Sequence, residues 1–180
     1  MTTDHATLIS KIAILGAESS GKSQLAEALA QAYSTVWIPE YLREFVELKQ
    51  RVPSENEQLT IAQTQRQNED RCLVDAHLWL FCDTAPWMTA IYSQHYFKSV
   101  PPELSSLANS HASDYAFTIV TAPDFPWESD GLQRESPQIR DIVHGLVIDS
   151  LDQSNIPFLL VSGSLKERLE QVQFALDFLA

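Results

Sequence analysis

Near the start of the chain, residues 16–23 read GAESSGKS: two glycines bracket four residues, and a lysine and a serine follow directly. Gly16 and Gly21 permit a tight turn that aims successive backbone N–H groups inward. Lys22 brings an ammonium within reach of β- and γ-phosphates, and Ser23 brings a hydroxyl for Mg²⁺. A helix beginning at this point directs its positive end at the same anion. The string matches G-x-x-x-x-G-K-[ST], the phosphate-binding loop. It predicts that Gly16, Ala17, Glu18, Ser19, Ser20, Gly21, Lys22, Ser23 and Gln24 hold the tail of a nucleoside triphosphate. A chance match in a surface turn is the bland alternative. The flanks disfavour it, because the strand-like KIAIL precedes the loop and an amphipathic helical pattern follows.

The base-reading N-K-x-D and the D-x-x-G string of GTP switches are both absent from the chain. ATP is the expected nucleotide, and transfer to a small molecule is the expected reaction. Its competitor is a nucleotide-gated regulatory ATPase acting on a protein partner. A kinase needs an acceptor-side carboxylate, a metal anchor and cationic help at the moving phosphoryl group. Asp83 ends the apolar run LWLFCD, where a carboxylate would face the loop and share the metal with Ser23; it could equally cap the helix that DTAP begins. Glu40 follows TVWIP, with Arg43 one turn on. Ligands of parallel sheets lie outside the carboxyl ends of the strands, so Glu40 is a candidate base or acceptor clamp, the alternative being an exposed Glu–Arg pair at a helix start.

A lid is expected over about residues 122–137, a stretch rich in proline and acidic side chains after a strand. Arg134 and Arg140 could close from it onto the triphosphate, while Asp124 and Asp130 hold the loop or the acceptor. A solvated acidic loop is the alternative. Trp127, Trp87, Tyr41 and Tyr92 are stacking candidates that core packing would equally explain. The five histidines form no ligand pair at helical spacing and carry no role.

These residues must be positioned by alternating elements. KIAIL (11–15), TVWIP (35–39), LWLFCD (78–83), AFTIVT (116–121) and PFLLV (157–161) are short and apolar on both faces, as strands of a covered parallel sheet are. Helical patterns lie between them, among them residues 54–77, which open with Ser54 and Glu57 as a capping box. One α/β domain over residues 1–180 is expected, with right-handed crossovers.

The chain carries 24 acidic against 12 basic residues, a formal charge of −12. Nucleic acid and anionic lipid need the opposite balance, so neither is an expected partner, whereas a cationic small substrate is favoured by the overall field. No apolar run is long enough to span a bilayer, and the N-terminus has no secretion-signal pattern. Cys72 and Cys82 are too few for a disulfide framework, so free buried thiols and a cytoplasmic location are expected.

The segments GAESSGKSQLAEALA, WIPEYLREF, FCDTAPWMTAIY, TAPDFPWESDGLQRE and LLVSGSLKERLEQV occur in the order of one family. Over about residues 11–178 the chain resembles the ribosylnicotinamide kinase domain of the bacterial NAD regulator NadR and stand-alone NadR-like P-loop ATPases. The resemblance implies a nucleoside-monophosphate-kinase-like P-loop fold with a five-stranded parallel sheet. It implies ATP- and Mg²⁺-dependent phosphorylation of the 5′-hydroxyl of nicotinamide riboside, giving nicotinamide mononucleotide and ADP. On that resemblance Glu40, Tyr41 and Arg43 fall on the acceptor side and Asp83 and Thr84 on the catalytic strand end. Pro126, Trp127, Asp130 and Gly131 fall on the lid, and Gly163 and Ser164 near the adenine. Gln133 stands where the family's lid places an arginine, with Arg134 one position further on. The regulator's DNA-binding and adenylyltransferase domains do not fit into 180 residues, so their functions are not implied.

Overall fold

A computed structural model describes residues 9–128 and 136–179. In chain order the elements are β1 (Ser10–Leu15), α1 (Lys22–Ala32), β2 (Trp37–Ile38), α2 (Tyr41–Lys49), α3 (Gln58–Cys72), β3 (Trp79–Asp83), α4 (Pro86–Phe97), α5 (Pro102–Asn109), α6 (His111–Asp114), β4 (Phe117–Thr121), α7 (Pro137–Gln153), β5 (Leu159–Val161) and α8 (Leu165–Leu176). The five strands form one sheet in the order β2-β3-β1-β4-β5, with every pairing parallel.

Each strand run is apolar on both faces because both faces are covered. On one side Ala13, Leu15, Leu80, Cys82 and Val120 pack with Met88 of α4 and Val143, Val147 and Leu151 of α7. On the other, Ile12, Ile14, Phe81 and Ile119 pack with Leu25 and Leu29 of α1 and Val172 and Leu176 of α8. Strand alternation sorts consecutive residues onto opposite cores. Cys82 is buried as expected, and burial pushes its thiol pKa up; Cys72 is only half-buried.

Local signals set the ends of the helices. The Ser54–Glu57 capping box is formed, on a short 3₁₀ turn (Glu55–Glu57) that leads into α3. Ser136 Oγ accepts the Ile139 N–H at 3.2 Å, and Pro137 opens α7. Two helices have no counterpart in the sequence patterns, α5 and α6. They span eight and four residues, too short for a 3.6-residue repeat to show. Among the described residues no helix is long and apolar enough to cross a membrane.

Candidate active site

Because all strands run the same way, their carboxyl ends share one edge of the sheet, and each delivers a candidate residue there. Gly16 follows β1, Glu40 lies just past β2, Asp83 ends β3, Thr121 ends β4 and Gly163 lies just past β5. The β1–β3 register sets Asp83 beside Ile14, two residues before the loop begins.

Residues 16–23 form a tight turn into α1, with left-handed backbone at Ser19 (φ +56°) and Gly21 (φ +83°). Gly16 has φ +150°, and a Cβ there would collide with Thr121 and come within 2.9 Å of Ser20 Oγ. A Cβ on Gly21 would strike the Phe125 ring. The left-handed dihedral favours glycine at both positions, and at Gly16 crowding adds to it. Ser20 Oγ donates to the Ala17 carbonyl at 2.6 Å and shares a hydrogen bond with Thr121 Oγ1 at 2.7 Å. Lys22 Nζ also donates to the Ala17 carbonyl, at 3.0 Å. Gln24 is exposed on the first turn of α1.

Asp83 is buried, and its Oδ2 accepts from Ser23 Oγ at 2.5 Å. It does not cap α4, whose N-cap is Ala85, so the helix-cap alternative falls away. Asp83 Oδ1 is buried with no hydrogen-bond partner. A carboxylate oxygen left bare beside the loop serine is chemistry that would suit a hydrated Mg²⁺, with Ser23 and Asp83 the residues that would hold it. Among the described residues no group of three His, Cys, Asp or Glu could hold a metal ion.

Glu40 is the N-cap residue of α2, with Oε2 3.7 Å from Arg43 Nε. The Glu–Arg pair thus exists, but only its arginine reaches the surface: Arg43 is 39% exposed and Glu40 13%. Burial raises the pKa of both carboxyls. For Glu40, Lys22 opposes the rise while Asp83 adds to it. For Asp83, Lys22 and the Ser23 hydrogen bond oppose it. Next to Asp83, Thr84 holds φ +78°, a conformation a β-branched residue adopts only under constraint. Its N–H donates to the Ile14 carbonyl at 3.0 Å.

A cavity of 380 Å³ opens between the phosphate loop, α2, α3 and α4. Lys22 and Glu18 reach it from the loop, Glu40 and Arg43 from the start of α2, and Thr84 from just past β3. Tyr92 and Tyr96 line its α4 side, stacked with ring centroids 6.0 Å apart at 10°. Tyr92 donates to Glu18 Oε2 at 3.3 Å, while Glu18 Oε1 is buried without a partner. Gln65 Oε1 accepts from the Tyr41 backbone N–H at 2.9 Å, leaving its buried Nε2 unpartnered at the cavity wall.

The remaining candidates are distributed unevenly. The Tyr41 ring packs against the small cluster of Phe45, Val46 and Ile61 and does not line the cavity. Trp87 is core, its indole N–H on Ser150 Oγ at 3.0 Å. Trp127 also lies off the cavity lining. Ser164 spends both its hydroxyl and its N–H on Glu167 in a capping box at the start of α8. Arg140 donates to the Phe125 carbonyl at 2.8 Å. Asp130, Gly131, Gln133 and Arg134 lie outside the described residues. Sequence reading gave no role to Tyr96, Gln65 or Arg168. Gln65 is buried on α3 and Tyr96 is an exposed ring on α4, and only the lie of those helices against the sheet brings both to the cavity.

A family model described as an AAA domain matches residues 11–168. The chain belongs to that AAA-domain family. It is 28% identical over 158 residues to the trifunctional NAD biosynthesis/regulator protein NadR of Escherichia coli K12, an alignment covering 83% of this chain and 37% of that protein. The chain thus spans little more than a third of that relative. Solved structures of NadR, one with NAD and AMP-PNP and one with NR, superpose with a TM-score of 0.72 at 16% and 18% identity. They cover 92% of this chain and 49% and 51% of those chains. Thymidylate kinase from Candida albicans superposes with a TM-score of 0.68 at 14% identity, covering 94% of this chain and 91% of that one. The fold of this AAA-domain protein is accordingly a P-loop fold of the kinase type, a five-stranded parallel sheet flanked by helices.

Proposed function

We propose that the protein is an ATP-dependent kinase whose acceptor is nicotinamide riboside, phosphorylated on its 5′-hydroxyl. The observation that supports this reading is the cavity, which Lys22 and Glu18 of the phosphate loop line together with Glu40 and Arg43 at the start of α2. An alcohol held there would meet a transferable phosphoryl group on one side and a base on the other. At 380 Å³ the cavity falls in the size class of small-molecule sites, about 300–1,000 Å³. Its chemistry suits a cationic ring bearing hydroxyls and an amide. The Tyr92–Tyr96 rings would attract a pyridinium, and the buried Glu18 Oε1 and Gln65 Nε2 are an acceptor and a donor without partners. The NadR relative and the NR-bound NadR structure support the same acceptor.

In this mechanism Glu40 takes the hydroxyl proton as the oxygen bonds to the γ-phosphorus, and the bond from that phosphorus to the bridging oxygen breaks to release ADP. Lys22 leaves the Ala17 carbonyl to neutralise the phosphates, and Ser23 with Asp83 would hold Mg²⁺. When bound, Mg²⁺ withdraws charge from the β- and γ-oxygens. The test is incubation with ATP, Mg²⁺ and a panel of ribosides, with the phosphorylated product identified by mass. Nicotinamide mononucleotide is the expected product. Transfer only to ordinary nucleosides would keep the kinase and remove the acceptor; ADP release indifferent to every riboside would mean a nucleotide-gated ATPase.

Tyr92→Phe should separate acceptor binding from chemistry. It removes the 3.3 Å bond to Glu18 while the ring stays in place. The acceptor KM should rise roughly three- to tenfold, the worth of one such hydrogen bond, with kcat little changed in initial-rate assays at saturating ATP.

A further inference from the structure

Arg168, in the first turn of α8, is wholly buried, an expensive place for a charge unless it is fully engaged. Its Nη1 donates to the Ser20 carbonyl at 2.5 Å, Nη2 to the Ala122 carbonyl at 3.0 Å, and Nε to the Gly163 carbonyl at 3.0 Å. Nη2 also pairs with Asp124 Oδ1, and Asp124 Oδ2 accepts the Gly163 N–H at 2.6 Å. Phe125 lies over the guanidinium at 4.1 Å and against Gly21. One cation therefore joins the phosphate loop, the segment after β4 and the turn after β5.

The Ser20 carbonyl and the Gly21 N–H belong to one planar trans peptide and point in opposite directions. A guanidinium that holds this oxygen on the α8 side turns the Gly21 N–H the other way, away from α8. Glycine at 21 has φ +83° and little intrinsic preference to keep that peptide from flipping. We propose that Arg168 is a positioning residue for the triphosphate: it fixes the Ser20–Gly21 peptide so that the Gly21 N–H faces the phosphates before nucleotide arrives. Through Asp124 it ties that peptide to the segment after β4 and to Gly163. Preorganisation of this kind removes an ordering cost from binding. Packing alone does not need four oxygens drawn from three separate segments; an aliphatic side chain would fill the space without a buried charge. The proposal rests on residues 16–23 being the nucleotide site, as argued above.

The test is calorimetric binding of Mg·AMP-PNP and of Mg·tripolyphosphate to the wild type, Arg168→Lys and Asp124→Asn, with a thermal melt of each. Lysine keeps the charge but loses the planar fork that serves several oxygens at once. Both ligands should bind Arg168→Lys about tenfold more weakly, the loss expected when a charge-assisted bond goes. Asp124 is 37% exposed, so Asp124→Asn should fold even where the arginine variant does not, and should weaken binding roughly threefold. A structural defect lowers the bound stoichiometry with the unfolded fraction; a positioning defect raises Kd at full stoichiometry. Folded variants with wild-type Kd for both ligands would overturn the role of Arg168 alone. A wild-type protein that bound neither ligand would overturn the nucleotide reading and this role with it.

Discussion

Lys22→Ala is expected to lower kcat/KM by about a thousandfold, the upper range for removing one preorganised donor to a developing charge. The side chain is 7% exposed and, without nucleotide, its Nζ rests on the Ala17 carbonyl at 3.0 Å. That bond joins two parts of one loop, so its loss should leave the sheet and its two cores intact. The charge matters more widely, because Lys22 is the largest influence holding down the pKa values of both Glu40 and Asp83 against burial. Without it both carboxyls should protonate at higher pH. A carboxyl whose folded pKa lies above its unfolded value contributes stability below the unfolded pKa and loses it as pH rises through the folded one. Raising those folded values further makes the variant's stability deficit small in acid and larger towards pH 8. Thermal melts across pH, beside steady-state assays, check both parts. Unchanged turnover would remove Lys22 from the mechanism, and a variant equally unstable at every pH would mean that the lysine serves packing.

Parts of this site were legible in the chain because they are local. Eight contiguous residues define the phosphate loop, and five apolar runs end at the residues that flank it. Asp83 and Glu40 could be placed because a parallel sheet brings the carboxyl ends of its strands to one edge. Pairings between distant segments were not legible. Arg168 meets Ser20 across 148 positions, and a lone arginine in an amphipathic helix reads as a solvated one. The same holds for Lys11, which reaches buried Glu69 at 3.2 Å while Tyr115 donates to that carboxylate at 2.9 Å. No residue type announces such a network before the helices are docked. TVWIP suggested a five-residue strand, yet β2 pairs with β3 only through Trp37 and Ile38. Thr35 instead bridges α1 and β3, its N–H on the Ala30 carbonyl at 2.9 Å and its hydroxyl on the Trp79 carbonyl at 2.7 Å.

Glu40→Gln should separate function from stability in opposite directions. As the base for the acceptor hydroxyl, Glu40 is expected to be worth about 10²–10⁴ in kcat, while ATP affinity should stay close to wild type, because Lys22, Ser23 and the loop backbone are untouched. Stability should move the other way. Burial is the chief cause of the raised Glu40 pKa, with Asp83 and Glu18 adding to it. The ionised form is thus costlier in the folded chain than in the unfolded one, so the wild type loses stability as pH rises through the raised value. Glutamine is neutral throughout and escapes that loss. The unliganded variant should match the wild type in acid and melt at higher temperature at neutral and alkaline pH, offset in part by the long contact to Arg43 at 3.7 Å. The wild-type pH–rate profile should carry its acid limb above the ordinary carboxylate range, because the base must be ionised to work. Asp83→Asn provides the contrast, since it takes a proposed metal oxygen from the partner of Ser23 and should make the rate depend on higher Mg²⁺. A Glu40→Gln enzyme retaining more than about a tenth of wild-type kcat lies well outside the range for a lost base, and would remove that role from Glu40.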